Sequence, residues 1–243
     1  MFEFFRSVKM RYVAVSKQKY FWTAAIISAG ILFSGYLVNF YASEFNDTFI
    51  YPSVGDSILD NIPTYNLEFL YVSGIYLLII IILFYAFLLV PERGPFVLKT
   101  YGILLFVRGV FILLTNYGPP DGSFYANGVV PWSSIMQRFL FKNDLFFSGH
   151  VAIPFLAFLL FRGTNKFFEW FLLLGSFVMG VTVLLMHVHY SIDVFAAYFI
   201  TYGVYAVSNE IFVRINERFF GWQGFCCEHK KSETVINIAD KKK

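Results

Sequence analysis

The sequence predicts an all-α membrane protein with six transmembrane helices, and three observations lead to this fold class. Of the 243 residues, 58% are hydrophobic and only 14% carry a charged side chain, whereas about a quarter of the residues of a typical soluble domain are charged. The apolar residues form six long runs, each long enough to cross about 30 Å of hydrocarbon as a helix. The runs are solidly apolar and lack the alternating pattern of a transmembrane β-barrel.

The six predicted spans are separated by charged or turn-forming links. The first follows a basic segment and precedes a loop that contains acidic residues but no Lys or Arg. The second ends at a Pro-Glu-Arg-Gly turn, and the third contains Arg108 and precedes a Gly-Pro-Pro-Asp-Gly turn. The fourth contains Ser-Gly-His and is only just long enough to span. The predicted spans are residues 21–42, 69–90, 96–114, 145–161, 167–186 and 194–212.

The distribution of basic residues predicts the orientation of the spans. If both termini are cytoplasmic, nearly all of the 19 Lys and Arg residues lie on that side. Only Arg138 and Lys142 then lie on the opposite side, with Arg108 inside the third span. Cytoplasmic segments of membrane proteins carry such an excess of positive charge. The predicted organisation is a basic cytoplasmic segment 1–20, a six-span membrane domain 21–213 and a basic cytoplasmic tail 214–243.

Two histidine motifs are the strongest candidates for chemistry. Ser148-Gly149-His150 lies near the start of the fourth span, and His189 and Asp193 stand four residues apart just before the sixth. The predicted orientation places both motifs at the non-cytoplasmic face. On one face of a helix, a carboxylate can hold the imidazole tautomer and stabilise its cation, as a nucleophile or a base requires. A single histidine can be merely structural, but three ionisable groups at one membrane depth favour chemistry.

Arg108, Ser148 and Gly149 are candidates for binding an anion. Small residues at the start of a helix expose backbone N–H groups, and the helix dipole favours a negative charge there. A guanidinium in hydrocarbon requires an anionic partner, and its planar fork suits a phosphate. The structural alternative is an ion pair between Arg108 and either Asp144 or Asp193. Asp144 also has a structural alternative, which is to cap the turn that follows it.

The two histidine motifs resemble those of the type 2 phosphatidic acid phosphatase (PAP2) superfamily, and more closely its sphingomyelin synthase branch. Asp144-Leu145-Phe146-Phe147-Ser148-Gly149-His150 resembles the Asp-x-x-Phe-Ser-Gly-His segment of that branch. His189-Tyr190-Ser191-Ile192-Asp193-Val194 resembles its His-Tyr-Thr-x-Asp-Val segment, and an Ala-Tyr pair follows in both. Arg108, Thr115 and the Pro119-Pro120 turn are similar to a third family element. The resemblance covers about residues 101–212 and implies a PAP2-like helical bundle.

The resemblance implies an enzyme that transfers phospholipid head groups without a metal ion or another cofactor. In this interpretation His189 is the nucleophile that forms a phosphohistidine, Asp193 orients it, and His150 is the general acid and base. A phospholipid donor and a lipid acceptor, ceramide-like or diacylglycerol, enter from the bilayer. The residues implied to bind phosphate are Arg108, Ser148 and Gly149, and those implied to support the site are Asp144, His187 and Tyr190.

Two departures from the family patterns bear on the substrate. Superfamily phosphatases carry Lys-x6-Arg-Pro and a Ser-Arg pair, whereas here Gly109 follows Arg108, and Thr182 and Val183 occupy the Ser-Arg positions. Fewer cations fit a phosphodiester, which has one negative charge fewer than a phosphomonoester. Against the sphingomyelin synthase pattern, His-Asp-His-Tyr reads His-Val-His-Tyr at 187–190. The head group and the acceptor are therefore left open.

Three alternatives account for parts of the pattern. A PAP2-type lipid phosphate phosphatase would use the same histidines with water as the acceptor. A metal site would draw on His150, His187, His189 and Asp193, although His187 and His189 would face apart on a helix. A small non-enzymatic transporter would have polar residues in several spans and an internal repeat, whereas here the polar groups cluster at one face and no repeat is evident.

Cys226 and Cys227 lie in the predicted tail, just past the last apolar run. Two adjacent cysteines make neither a disulfide framework nor a metal-ligand spacing. Free thiols and lipidation are the two roles considered for them. We expect no nucleic-acid partner, and the sequence does not indicate an oligomeric state.

Overall fold

The computed structural model describes residues 2–18, 20–124 and 141–215. Within these ranges the chain forms seven α-helices and no β-strand, which confirms the all-α prediction for this part of the chain. The tail from residue 216 onward, with Cys226 and Cys227, lies outside the described residues. The helices are α1 (Phe2–Ser16), α2 (Phe21–Asp47), α3 (Ile75–Phe84), α4 (Gly94–Leu114), α5 (Gly149–Leu160), α6 (Lys166–Leu185) and α7 (Ser191–Ile215).

Five helical segments are long and apolar enough to cross a membrane, and they indicate an integral membrane protein, as predicted. In two of them, short π or 3-10 turns extend α3 and α4. The predicted fourth span is different, because its helix α5 has only 12 residues and is therefore about 18 Å long. The five long segments are Phe21–Asp47, Leu70–Leu89, Pro91–Leu114, Lys166–Leu185 and Ser191–Phe212.

Helix α1 forms most of the basic segment 1–20, to which the sequence analysis assigns no secondary structure. Its Arg11 donates a hydrogen bond to the carbonyl oxygen of Leu89 at 2.8 Å. The same guanidinium lies 3.5 Å from the carboxylate of Glu92. These contacts attach α1 to the link between α3 and α4.

The chain runs back and forth between two ends of a helical bundle. Helices α2, α4 and α6 finish at the end of the bundle where α3, α5 and α7 begin. The loops at this end hydrogen bond to one another. The N–H of Gly118 donates to the carbonyl oxygen of Pro52 at 2.8 Å, and the N–H of Phe124 donates to the carbonyl oxygen of Met186 at 2.9 Å. We call it the loop end. Both histidine motifs lie there, as their positions in the predicted spans require.

Helix α5 lies in the centre of the bundle. Its side chains Val151, Ala152 and Leu156 are completely buried. The hydroxyl of Ser176 on α6 donates to the carbonyl oxygen of Val151 at 2.9 Å, and other α5 residues pack in the same core as α4 and α7. Because its neighbours surround it, α5 holds its first turn, which contains His150, at a fixed place in the loop end.

Helices α2 and α4 pack with their backbones in contact through glycines. A Cβ atom added to Gly102 would lie 2.6 Å from the carbonyl oxygen of Ile31, and one added to Gly35 would overlap the carbonyl oxygen of Gly102. Gly109 likewise lies directly against the backbone of Asn39. This close approach brings Asn39 next to Arg108, which neighbours Gly109 in the chain.

The α2–α4 contact predicts a large effect for Gly102→Ala. The new methyl group would meet the backbone of α2, which cannot move aside as a side chain can, so the helices must separate. We expect a loss of stability of about 1–3 kcal/mol, measured as a lower unfolding midpoint of the detergent-solubilised protein.

Gly203→Ala on α7 is the matched control, because no atom lies within 4 Å of a Cβ atom placed there. Alanine has a higher helix propensity than glycine, so this variant should be as stable as the wild type or slightly more stable. Equal midpoints for the two variants would contradict the packing argument.

Candidate active site

The structure brings the two histidine motifs together at the loop end. His150 is the second residue of α5, and His189 lies in the turn before α7. The centroids of their rings are 6.4 Å apart. The ring of His150 also stacks on that of Tyr71, with centroids 4.1 Å apart and planes 18° from parallel. Two imidazoles at this separation have room for a small reacting group between them.

Hydrogen bonds join the segment before α5 to the turn before α7. The Nδ1 atom of His189 lies 2.9 Å from the carbonyl oxygen of Leu145. In addition, the N–H of Ser148 donates to the carbonyl oxygen of Asp193 at 3.2 Å. The two predicted motifs are therefore held side by side by their own backbones and by one imidazole.

The contact with Leu145 determines the tautomer of His189. A carbonyl oxygen only accepts hydrogen bonds, so Nδ1 of His189 must carry the proton. In the neutral imidazole, Nε2 then keeps its lone pair, which is the form that a nucleophile or a base needs. The side chain is only 3% exposed, and this burial keeps the ring in one orientation.

Asp193 supports His189 differently from the helical pairing that the sequence predicted. His189 precedes α7 and does not lie on it, and 3.6 Å separates its Nδ1 atom from Oδ2 of Asp193. That distance is too long for a hydrogen bond. The carboxylate of Asp193 instead accepts hydrogen bonds from the N–H of Tyr190 at 2.9 Å and from the hydroxyl of Tyr117 at 2.6 Å. Its influence on His189 is therefore electrostatic, while the Leu145 carbonyl orients the ring.

Arg108 is buried beside the start of α5 and forms an ion pair with Asp144. Its Nη1 atom lies 2.7 Å from Oδ1 and 3.0 Å from Oδ2 of Asp144, and 3.1 Å from Oδ1 of Asn39. Its Nε atom donates to the carbonyl oxygen of Phe147 at 2.9 Å. The structural alternative proposed for Arg108 is thus present, with Asp144 and not Asp193 as its partner.

The ion pair leaves part of the Arg108 fork available for a ligand. The contact of Nη2 with the carbonyl oxygen of Asp144 is long, at 3.4 Å, although this nitrogen carries two N–H donors. A Cβ atom on Gly149 would lie 3.4 Å from Nε and 3.8 Å from Nη2 of Arg108. Glycine therefore allows the guanidinium to lie against the first turn of α5.

Ser148 has the features of a residue that completes its hydrogen bonding with a ligand. It immediately precedes α5 and is completely buried, but its side chain does not cap the helix. Within the described part of the chain, its Oγ atom has no hydrogen-bond partner. Buried hydroxyl groups are rarely left unpaired. The hydroxyl, the first N–H groups of α5 and Arg108 are therefore the candidate groups for binding a phosphate oxygen.

The other two predicted supporting residues connect this site to the surrounding loops. Tyr190 donates its hydroxyl hydrogen to the carbonyl oxygen of Gly118 at 2.9 Å and accepts the N–H of Val54 at 3.0 Å. His187 has a positive φ of 52°. Its Nδ1 atom lies 3.4 Å from the hydroxyl oxygen of Thr64. Both residues therefore link the turn before α7 to neighbouring loops through these contacts.

Sequence reasoning missed several residues that complete the site. Asn39 had a detectable signal, because it is a polar residue inside the first apolar run. Tyr117, Tyr71 and the carbonyl of Leu145 had none, since neither aromatic residues nor backbone groups stand out in an aromatic-rich single sequence. Asp56 is one of several acidic residues in its loop, and nothing in the sequence distinguishes it from the others.

Asp56 anchors the start of α7. Its Oδ2 atom accepts hydrogen bonds from the N–H of Ser191 at 2.7 Å and from the Ser191 hydroxyl at 2.8 Å. Its Oδ1 atom accepts the N–H groups of Ile58 at 2.9 Å and Leu59 at 3.1 Å. Burial alone would raise the pKa of Asp56, but these four donors outweigh it and lower the pKa below its usual value.

The comparison with protein families agrees with this geometry. Residues 143–210 match the family model described as PAP2 superfamily C-terminal. The matched range contains both histidine motifs, helices α5 and α6, and most of α7. The match supports a relationship of this chain to the PAP2 superfamily. Members of that superfamily are generally phosphatases or phosphotransferases. A search of curated proteins found no match.

The described residues contain no group of three or more His, Cys, Asp or Glu side chains that could hold a metal ion. His150, His187, His189 and Asp193, the residues of the metal-site alternative, are among these residues and do not form such a group.

The lowered pKa of Asp56 predicts a pH-dependent stability. A carboxylate with a lower pKa in the folded state stabilises the fold above its unfolded pKa of about 3.9, and this contribution is lost as the pH falls through the folded value. Asp56→Asn should cost about 1–3 kcal/mol at pH 7 because the donors lose a charged acceptor. The difference in unfolding midpoint between wild type and variant should shrink below about pH 4.

Asp60→Asn, in the same loop, is the matched control and should leave the midpoint near that of the wild type at both pH values. A stability difference for Asp56→Asn that persists unchanged at low pH would refute the role of its charge.

Proposed function

We propose that this protein is a membrane-embedded phosphotransferase that moves a phospho-alcohol head group from a glycerophospholipid to a lipid acceptor. The acceptor is ceramide-like or a diacylglycerol, as in the sphingomyelin synthase branch that the motifs resemble. One observation carries the proposal. His189 donates its Nδ1–H to the carbonyl oxygen of Leu145, which leaves Nε2 free, and the centroid of the His150 ring lies 6.4 Å from that of His189. This is the arrangement of a nucleophile and an acid–base partner.

In the first proposed step, Nε2 of His189 attacks the phosphorus atom of the donor lipid. A nitrogen–phosphorus bond forms, and the bond from phosphorus to the diacylglycerol oxygen breaks. His150, protonated at the start, gives its proton to that leaving oxygen. The developing charge on the non-bridging oxygens is stabilised by Arg108, the Ser148 hydroxyl and the N–H groups at Gly149.

The second proposed step reverses these roles. The hydroxyl of the acceptor lipid gives its proton to His150 while its oxygen attacks phosphorus. The nitrogen–phosphorus bond breaks, and His189 returns to its neutral form. Because His150 ends protonated, the cycle needs no other proton donor. Exclusion of water from this buried site favours transfer over hydrolysis.

The charges around the site support a phosphodiester substrate. Arg108 is already paired with Asp144, and Asp193 is a second buried carboxylate nearby. A phosphodiester brings one negative charge, whereas a phosphomonoester carries close to two at neutral pH. A phosphomonoester would therefore lie near two carboxylates, with little positive charge left to balance its second negative charge. The absence of the Ser-Arg pair at Thr182 and Val183 points in the same direction.

The proposal includes the predicted topology. We infer six spans in the domain 21–213, with the basic segment 1–20 and the tail 214–243 in the cytoplasm. Helix α5, the fourth span in chain order, adds a short crossing to the five long ones. It begins at the loop end, and the next helix, α6, ends there. The distribution of Lys and Arg then puts the loop end, and the active site, on the non-cytoplasmic face. Both lipids reach the site from within the bilayer.

The lipid phosphate phosphatase remains the second candidate, because a match to the PAP2 superfamily fits both activities. It would use the same two histidines, with water in place of the acceptor lipid. The metal-site alternative predicts that chelation removes the activity and that zinc restores it. The transporter alternative predicts no chemical product at all.

A product analysis by mass spectrometry tests the proposed function. Purified protein is added to vesicles of mixed glycerophospholipids with and without ceramide. We expect a ceramide-linked phospho-alcohol and an equal amount of diacylglycerol when ceramide is present. Release of a water-soluble phosphate compound that is independent of ceramide would instead indicate a phosphatase. Variants His150→Ala, His189→Ala and Asp193→Asn should each lose at least about a thousandfold in rate while inserting normally.

Replacing Arg108 by Lys should reduce turnover by about a hundredfold. Lysine keeps the charge but loses the planar fork that contacts Asp144 and the Phe147 carbonyl together. The measurement is kcat/KM for the donor lipid.

Arg93→Lys is the matched control, because Arg93 also donates to backbone carbonyls, at 2.7 Å to Leu160 and 3.1 Å to Arg162, but lies at the opposite end of α4. If both lysine variants keep the same kcat/KM, Arg108 does not bind the phosphate.

A further inference from the structure

Tyr117 makes a contact with the candidate catalytic machinery that no sequence motif indicates. It lies in the loop after α4, three residues past the last helical residue Leu114. Its hydroxyl donates a hydrogen bond to Oδ1 of Asp193 at 2.6 Å. Its ring packs edge to face on that of Tyr190, with centroids 5.2 Å apart. A residue of the loop end thus reaches the buried carboxylate that lies nearest to His189.

The contact matters because Asp193 has no exposure to solvent at all. A carboxylate without water depends on protein donors for the stability of its charge. Oδ2 receives the N–H of Tyr190, and Oδ1 receives the hydroxyl of Tyr117. Of these two donors, only the hydroxyl can be removed by a side-chain substitution.

The phenol of Tyr117 remains a donor over the whole working pH range. Burial and the neighbouring negative charge of Asp193 raise its pKa well above the usual value. The hydroxyl therefore keeps its proton and stabilises the charged form of Asp193 without competing for it. A neutral donor of this kind reduces the negative charge that the carboxylate presents to its other neighbours.

Building on the proposed function, we propose that Tyr117 is a positioning residue that sets the proton affinity of His189 through Asp193. With both oxygens engaged, the carboxylate stays 3.6 Å from Nδ1 of His189, and Nδ1 keeps its proton and donates it to the carbonyl oxygen of Leu145. Without the hydroxyl, Oδ1 carries more negative charge. That charge favours the imidazolium form of His189, which has no lone pair for attack on phosphorus.

Other charged and titratable groups also surround His189. His150 approaches from α5, and Arg108 from α4 is paired with Asp144. The loops contribute further groups around the neighbouring Tyr190 and Ser191. The complete set of such groups is His150, Arg108, Asp144, Asp56, Asp121, Tyr190 and Asp193. Of these groups, only Asp193 accepts a hydrogen bond from the Tyr117 hydroxyl, so a shift in the pH dependence of Tyr117→Phe reports on the Tyr117–Asp193 contact.

The test is the pH dependence of kcat/KM for head-group transfer by full-length Tyr117→Phe in lipid vesicles. Activity should rise with pH along an acidic limb, and in the variant this limb should move to higher pH by about 0.5–1 unit. That shift corresponds to part of the energy of one hydrogen bond to a charged group. At the lower end of the pH range, the variant should therefore lose about three- to tenfold more activity than at the upper end.

Tyr190→Phe is the matched control, because it also removes a tyrosine hydroxyl from the same ring pair. That hydroxyl bonds Gly118 and Val54 and not Asp193, so this variant should become less stable without moving the acidic limb. Site-specific replacement of Tyr117 by 3-fluorotyrosine should shift the acidic limb in the opposite direction. Its hydroxyl is a stronger donor, and the limb should move to lower pH while the ring packing is kept.

The outcomes separate the inference from the proposed function. An acidic limb that stays in place in both Tyr117 variants, with wild-type turnover intact, overturns the role of Tyr117 and leaves the transferase proposal standing. Equal shifts in Tyr117→Phe and Tyr190→Phe also overturn it, because they would report a general loosening of the loop end. Absence of transfer by the wild-type protein overturns the proposed function itself, and the inference with it.

Discussion

The hydrogen bond from His189 to the Leu145 carbonyl is the contact on which the rest of the site depends. It joins segments that are 44 residues apart in the chain and selects the imidazole tautomer with a free Nε2 atom. A second bond, from the Ser148 N–H to the Asp193 carbonyl, runs beside it. Because both acceptors are backbone atoms, the relative position of the two motifs follows from the packing of α5 against α7. Small movements of either helix would change the tautomer and the ring orientation together.

The anion site depends in turn on a close backbone contact far from the histidines. Gly102 lets α2 and α4 touch, and Gly109 extends that contact towards the loop end. This brings Asn39 within 3.1 Å of Arg108, whose charge Asp144 also balances. A cation in an apolar region is stable only with such partners. The same partners offset the positive charge of Arg108, so helix packing and ion pairing are physically linked at this position.

Loops supply the remaining support around the candidate site. Asp56 fixes the first residue of α7 through Ser191, and Tyr117 reaches Asp193 from the loop after α4. Each loop contributes a polar group that satisfies a buried donor or acceptor. The short helix α5 fits the same scheme, because the segment before it is not helical and uses its backbone to bond the neighbouring turn. A longer helix would withdraw those carbonyl and N–H groups into its own hydrogen bonds.

The sequence by itself determined the helical class, the long apolar segments and the two histidine motifs, because hydrophobicity and motif spacing are local properties of the chain. It also singled out Arg108, since a charge inside an apolar run is costly wherever the chain folds. Only the tertiary structure decided that Arg108 pairs with Asp144 and not Asp193. It also decided that Leu145, and not Asp193, holds Nδ1 of His189. Those choices depend on contacts between distant segments, and a backbone carbonyl leaves no mark in a sequence.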